Sequence, residues 1–208
     1  MGGLSLGGAA LTGGMAGAVI TLFTRWVSGT LRIWKLSRSL VAYPQRQQDN
    51  FGIRVCNRSV HTIEDATAYI SLGFDPQTDV LDGYAFIGTH YRIGLCEDRL
   101  CWSIAAPDPN PFRIDIFPGE KQALDFVRFH ADRIEIPSEQ GWADEAKGKR
   151  SRVFLKKKHY EGELHLVARN TLRRSFDLVI DPTTGQGTVT LKPVKFINVF
   201  VFLFRGVS

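Results

Sequence analysis

From Phe51 onward apolar residues recur at every second position, and that period constrains the fold of this chain more than anything else in it. Successive side chains of an extended strand point to opposite faces, so alternation puts one face into a core and the other into water. Phe51, Ile53 and Val55 alternate with Gly52, Arg54 and Cys56, and Ala66, Ala68, Ile70 and Leu72 alternate with Thr67, Tyr69 and Ser71. The pattern returns at Phe112, Ile114 and Ile116, at Leu164, Leu166 and Ala168 against Glu163, His165 and Val167, and at Phe176, Leu178 and Ile180. Ala123, Leu124, Phe126, Val127 and Phe129 mark a strand of imperfect alternation, and shorter runs follow around Ile134 and from Thr188 to Leu191. Turn residues punctuate the runs: Asn57-Arg58-Ser59, Pro118-Gly119-Glu120 and Asp181-Pro182.

This pattern predicts roughly eight or nine antiparallel strands packed as a β-sandwich. No long amphipathic helix interrupts residues 51–208, which argues against a doubly wound α/β fold. A region of about 150 residues can bury a core without disulfide staples. Its final stretch, Phe196 to Phe204, is apolar at odd and even positions alike. Such a run is expected at the centre of the sandwich or under another chain, because an exposed edge of that kind aggregates.

The first quarter reads differently. Residues 1–24 carry no charged side chain, and Leu4 to Phe23 is an uninterrupted uncharged stretch. As a helix of about 20 residues it would match the thickness of a hydrocarbon core, so a membrane helix is expected. Ala9, Gly13 and Gly17 recur at four-residue spacing, with Ala10, Gly14 and Ala18 beside them, a row suited to helix pairing. The competing reading is a cleaved secretory signal with Ala16-Gly17-Ala18 as cut site, but no positive side chain precedes the apolar run. From Thr24 to Tyr43 the helix is expected to continue with Arg25, Trp26, Arg32, Trp34, Lys35 and Arg38 in the headgroup layer. Pro44 is expected to stop it, leaving 44–50 as a polar linker between an N-terminal segment 1–43 and a β domain 51–208.

Charge distribution sharpens this. The chain has 26 basic and 21 acidic residues, a net charge of +5. The five basic residues of positions 1–48 meet no acidic one, so the remaining 21 basic residues balance all 21 acidic ones. The excess flanks the apolar segment instead of coating the β region, and by the positive-inside rule it predicts a single-pass protein with a cytoplasmic β domain.

Signs of catalysis are weak. Cys96 and Cys101 have four residues between them, Cys56 stands apart, and the five His are scattered, so no zinc spacing emerges. Gly3-Leu4-Ser5-Leu6-Gly7 matches a nucleophile-elbow pattern but has no room for the strand that must precede it. Asn57-Arg58-Ser59 is a glycosylation sequon that would be silent in the cytosol. Neither an enzyme nor a cofactor, metal or small-molecule substrate is expected.

The remaining candidate for contact is the segment around Trp142, followed by Lys147, Lys149, Arg150, Arg152, Lys156, Lys157 and Lys158, seven basic residues in the twelve from 147 to 158. Three readings compete: a solvated hairpin end facing Asp144, Glu145, Glu161 and Glu163, a contact with anionic lipid, and a grip on nucleic-acid phosphates, the last disfavoured because stacking aromatics are few.

Asn57-Arg58-Ser59 with Glu64-Asp65-Ala66 and Tyr69-Ile70, then Phe117-Pro118-Gly119-Glu120, then Glu161-Gly162-Glu163-Leu164 through Arg169-Asn170, resembles the strand and turn pattern of immunoglobulin-like sandwich modules. With the N-terminal helix, the chain is similar to uncharacterised membrane-anchored proteins found mainly in archaea. The resemblance implies an immunoglobulin-like fold and a tether, and no activity. The expectation is a membrane-tethered, non-catalytic β-sandwich module that binds a protein partner or assembles with itself, held to the lipid bilayer by its N-terminal helix.

Overall fold

The computed structural model describes residues 6–47, 50–75, 78–81, 96–100, 102, 113–136, 153–183 and 187–195, with the backbone alone for 6–16, 47, 96–99 and 153. The chain divides into two compact units, Met1–Lys35 with Ile197–Ser208, and Leu36–Phe196. The first unit contains most of one helix, α1 (Leu6–Ser39), whose last turn belongs to the second.

The second unit is mainly β. Its strands are β1 (Leu40–Gln47), β2 (Asn50–Asn57), β3 (Ile63–Leu72), β4 (Val80–Leu81), β5 (Cys96–Leu100), β6 (Ile114–Ile116), β7 (Lys121–Phe129), β8 (Arg133–Ile136), β9 (Val153–Lys156), β10 (Tyr160–Val167), β11 (Arg174–Asp181) and β12 (Thr188–Pro193). One antiparallel sheet runs β1-β2-β7-β8-β9-β4; the other runs β12-β11-β10-β3-β5, with β6 also paired to β3. Ile53, Val55, Leu124, Phe126, Ile134 and Leu155 of the first sheet and Ile70, Leu164, Phe176, Leu178 and Ile180 of the second share one core cluster, giving a β-sandwich-like fold.

The alternation predicts buried faces accurately. Phe51, Ile53 and Val55 are buried, as are Leu164, Leu166 and Ala168, and Phe176, Leu178 and Ile180. The imperfect run in β7 has a physical cause: Phe51 pairs with Val127 but Gly52 with Asp125, so Phe126 is an extra residue in a β-bulge. The bulge shifts the phase of the strand, and Phe126 and Val127 are both 1% exposed. Predicted turns form. Gly119 takes φ 75° between β6 and β7, and Asp181 Oδ1 accepts from the Thr183 hydroxyl at 2.6 Å and its amide at 2.9 Å. Those bonds, the hydroxyl's first, hold the Asp181 carboxyl below the usual carboxylate range.

The boundary before the β region differs from expectation. The helix ends at Ser39, and most of the expected linker is β1, paired residue for residue with β2 from Leu40↔Asn57 to Gln47↔Asn50. The residue before a proline is pushed out of the α region, so Tyr43 could not carry a helix up to Pro44. Pro44 is tolerated within β1 because that strand is the outermost of its sheet. Strands β4, β5 and β9 are further additions: β4 has two residues, and β5 reads CEDRL, with no apolar alternation to betray it. The apolar run from Phe196 to Phe204 lies outside the described residues.

Candidate functional site

Helix α1 is 34 residues long, yet among the described residues no helix is long and apolar enough to cross a membrane. Over residues 17–34 the side chains divide by face. At about 100° per residue, Val19, Ile20, Leu22, Phe23, Trp26 and Val27, continued by Leu31, Ile33 and Trp34, fall on one half of the circumference. Thr21, Thr24, Arg25, Ser28, Arg32 and Lys35 fall on the other. Hydroxyls on this helix fold back on its own carbonyls: Thr21 to Gly17 at 2.8 Å, Thr24 to Ile20 at 2.9 Å and Ser28 to Arg25 at 3.0 Å.

The apolar half is exposed. Val19, Ile20, Leu22 and Phe23 keep 62–66% of their surface and Trp26 48%, and the Phe23 and Trp26 rings lie 6.0 Å apart. Arg25, Arg32, Lys35 and Arg38 are exposed, and Trp34 is half-buried. Of the pairing row, Ala9 and Gly13 are described as helical backbone only, and a side chain added at Gly17 would meet no atom within 4 Å.

Little of the predicted contact loop can be placed. Trp142, Lys147, Lys149, Arg150 and Arg152 lie outside the described residues. Lys156 ends β9, and Lys157 and Lys158 form the turn to β10. This turn is committed to structure. Lys158 Nζ pairs with Asp79 Oδ2 at 2.7 Å and sits 5.4 Å from the centre of the Tyr160 ring. Lys157 Nζ donates to Ala131 O at 3.2 Å. The Lys156 amide donates to Asp79 O at 2.8 Å, and Tyr160 Oη donates to Lys156 O at 2.8 Å.

Asp79 is 3% exposed. Burial alone would raise its carboxyl pKa; the Lys158 ammonium, the Asp75 amide and the Thr78 hydroxyl outweigh that and hold it below the usual range. Burial, reinforced by the Asp79 charge, pushes the Tyr160 phenol well above its ordinary value, so it stays a donor. Lys156, Lys157 and Lys158 are exposed, and of the acids that one of the three readings set against them Asp144 and Glu145 lie outside the described residues while Glu161 meets His159 at 3.2 Å; Lys158 pairs instead with the buried Asp79.

One grouping resembles acyl-transfer chemistry on paper. His165 Nδ1 lies 2.9 Å from Ser175 Oγ, and its Nε2 lies 3.6 Å from Glu163 Oε2. These residues stand on neighbouring strands β10 and β11, where His165 is paired with Ser175 in register. Acyl transfer also needs amide donors aimed at a developing oxyanion. Here β10 is paired on both sides, to β11 and β3, so its amides are turned into the ladders. The grouping ties β10 to β11.

Among the described residues no group of three His, Cys, Asp or Glu could hold a metal. Cys56 is a buried free thiol 3.8 Å from Tyr43 Oη. The cleft beside the β7 bulge, between Phe51, Gly52, Asp125 and Val127, has room for about 40 Å³, enough for water.

Asn57 is the residue whose role the sequence disguised. It is completely buried. Its Nδ2 donates to His61 O and Ile116 O, each at 2.8 Å, and its Oδ1 accepts from the Ser59 amide at 2.9 Å and hydroxyl at 2.7 Å. A sequon asparagine with its amide so enclosed is a structural joint. Known proteins supply no further guide: no family model matches this chain, and neither a curated protein nor a solved structure does.

Proposed function

We propose that this protein is a membrane-tethered, non-catalytic module whose β unit binds another protein or a second copy of itself. The observation that carries the reading is the contrast between the two units. The β unit gathers most of its large apolar side chains into one core and leaves Val60 and Phe117 exposed singly, whereas the helix leaves Val19, Ile20, Leu22 and Phe23 more than 60% exposed together. Exposed apolar surface of that extent on one face marks contact with lipid or a partner. The binding unit is inferred to be immunoglobulin-like. The neighbours β1-β2-β7 and β11-β10-β3-β5 follow the A-B-E and G-F-C orders of that fold, with β5 as an added edge. It departs from the fold in that β8 and β9 follow the E-like strand in the chain and β12 extends the second sheet.

Cell fractionation tests the tether. The full chain is expected in the membrane pellet, and Phe23→Asp with Trp26→Asp is expected to move it into the soluble fraction. A wild-type chain found wholly soluble sinks the reading. Protease accessibility of the β unit in intact cells tests the cytoplasmic placement, where protection is expected.

A further inference from the structure

We infer that the helix segment 17–35 lies in the plane of an anionic lipid surface, its apolar half sunk between acyl chains and its cations among the headgroups. This deepens the tether proposed above and rests on it. Three observations point the same way. Among the described residues no helix is long and apolar enough to cross a membrane. The segment's apolar residues occupy half of the circumference, and Val19, Ile20, Leu22 and Phe23 are 62–66% exposed. Arg25, Arg32 and Lys35 lie on the opposite half, and residues 1–48 contain no acidic side chain.

If residues 17–35 crossed the hydrocarbon upright, Arg25 and Arg32 would be carried into it and the Thr and Ser half would face lipid tails. An in-plane helix satisfies both halves at once, which is the arrangement of helices with opposed apolar and basic faces. Charge of one sign selects the surface. Three cations in a stretch of sequence that holds no carboxylate are attracted to negative headgroups and gain little from zwitterionic ones. Nucleic acid would satisfy the cations but leaves the apolar half in water.

The test sediments the full chain with vesicles of phosphatidylcholine alone and of phosphatidylcholine with phosphatidylglycerol added. Binding is expected to the anionic vesicles and to be far weaker on the neutral ones. Replacing the three cations together (Arg25→Gln, Arg32→Gln, Lys35→Gln) is expected to lower partitioning on the order of 100-fold. Phe23→Asp with Trp26→Asp should abolish it, and alkaline carbonate should release the bound wild type. Because all these positions lie outside the Leu36–Phe196 unit, the urea midpoint of the β unit should stay unchanged in every variant, separating lost binding from unfolding. Equal binding to both vesicles, or retention in carbonate, overturns the in-plane anionic assignment and leaves the tether standing. Failure to sediment with either vesicle removes both. Lipid-free dispersal of an oligomer to monomer by Phe23→Asp would show that a second copy covers the face and overturns the assignment.

Discussion

At the scale of single residues, Asn57 and Asp79 are buried polar groups that each hold several bonds at once. Asn57 bonds the turn behind it and β6 beyond it, and its backbone amide reaches Glu120 O at 3.1 Å. Asn57→Ala strands the buried Ile116 carbonyl and the part-buried groups of Ser59 and His61 at once, and a loss of about 2–4 kcal/mol in urea unfolding is expected. A chain routed through a glycosylating compartment should still carry no glycan at this position, as intact mass would report. Asp79 gives a prediction in pH. Its folded pKa lies below the unfolded value, so its contribution is complete above the unfolded value of about 3.9 and disappears as pH falls through the folded one. Asp79→Asn should therefore cost about 1–2 kcal/mol at neutral pH, a figure kept small because Lys158 is half exposed. The gap between mutant and wild type should close as the pH is lowered past about 4. A gap that persists in acid would show that the ion pair is not its source.

At the scale of elements, local pattern and long-range constraint divide the work. Alternation made β2, β3, β10 and β11 readable, since each has one face in the core and the period of a strand is 2. The irregular β7 was readable as a strand but not as a bulge, because a bulge is a property of the pair and needs the β2 register. Lys156, Lys157 and Lys158 were visible as a charge run; their partners Asp79 and Ala131 come from distant parts of the chain, so no spacing rule reaches them. Gly162 shows the same division. On β10 it pairs with Leu72 of β3, and a Cβ there would stand 2.1 Å from the Ser71 carbonyl oxygen. Gly162→Ala should force β10 and β3 apart and lower stability by about 2–4 kcal/mol, read as a reduced urea midpoint with faster amide exchange in β3.

At the scale of the whole molecule, composition and period were enough to separate a helical, positively flanked first quarter from a neutral β region, and to name most of the core. Both follow from short-range physics: apolar spacing reports which face leaves water, and net charge is a sum that needs no coordinates. What required the tertiary structure was everything decided by groups far apart in the chain. Trp102, unremarked among loop residues, bridges to Leu124 of the first sheet and donates its indole N–H to Ala66 O of the second at 3.1 Å, closing the two sheets on each other. The ladder with β2 makes Leu40–Gln47 a strand where helix and linker were expected. Asn57, which the sequence offered as a turn residue and a sequon, is buried because β6 arrives over it, a separation of 59 positions at the Ile116 bond. Burial, pairing and register are properties of approach between remote segments, and the chain encodes them only through the fold that brings those segments together.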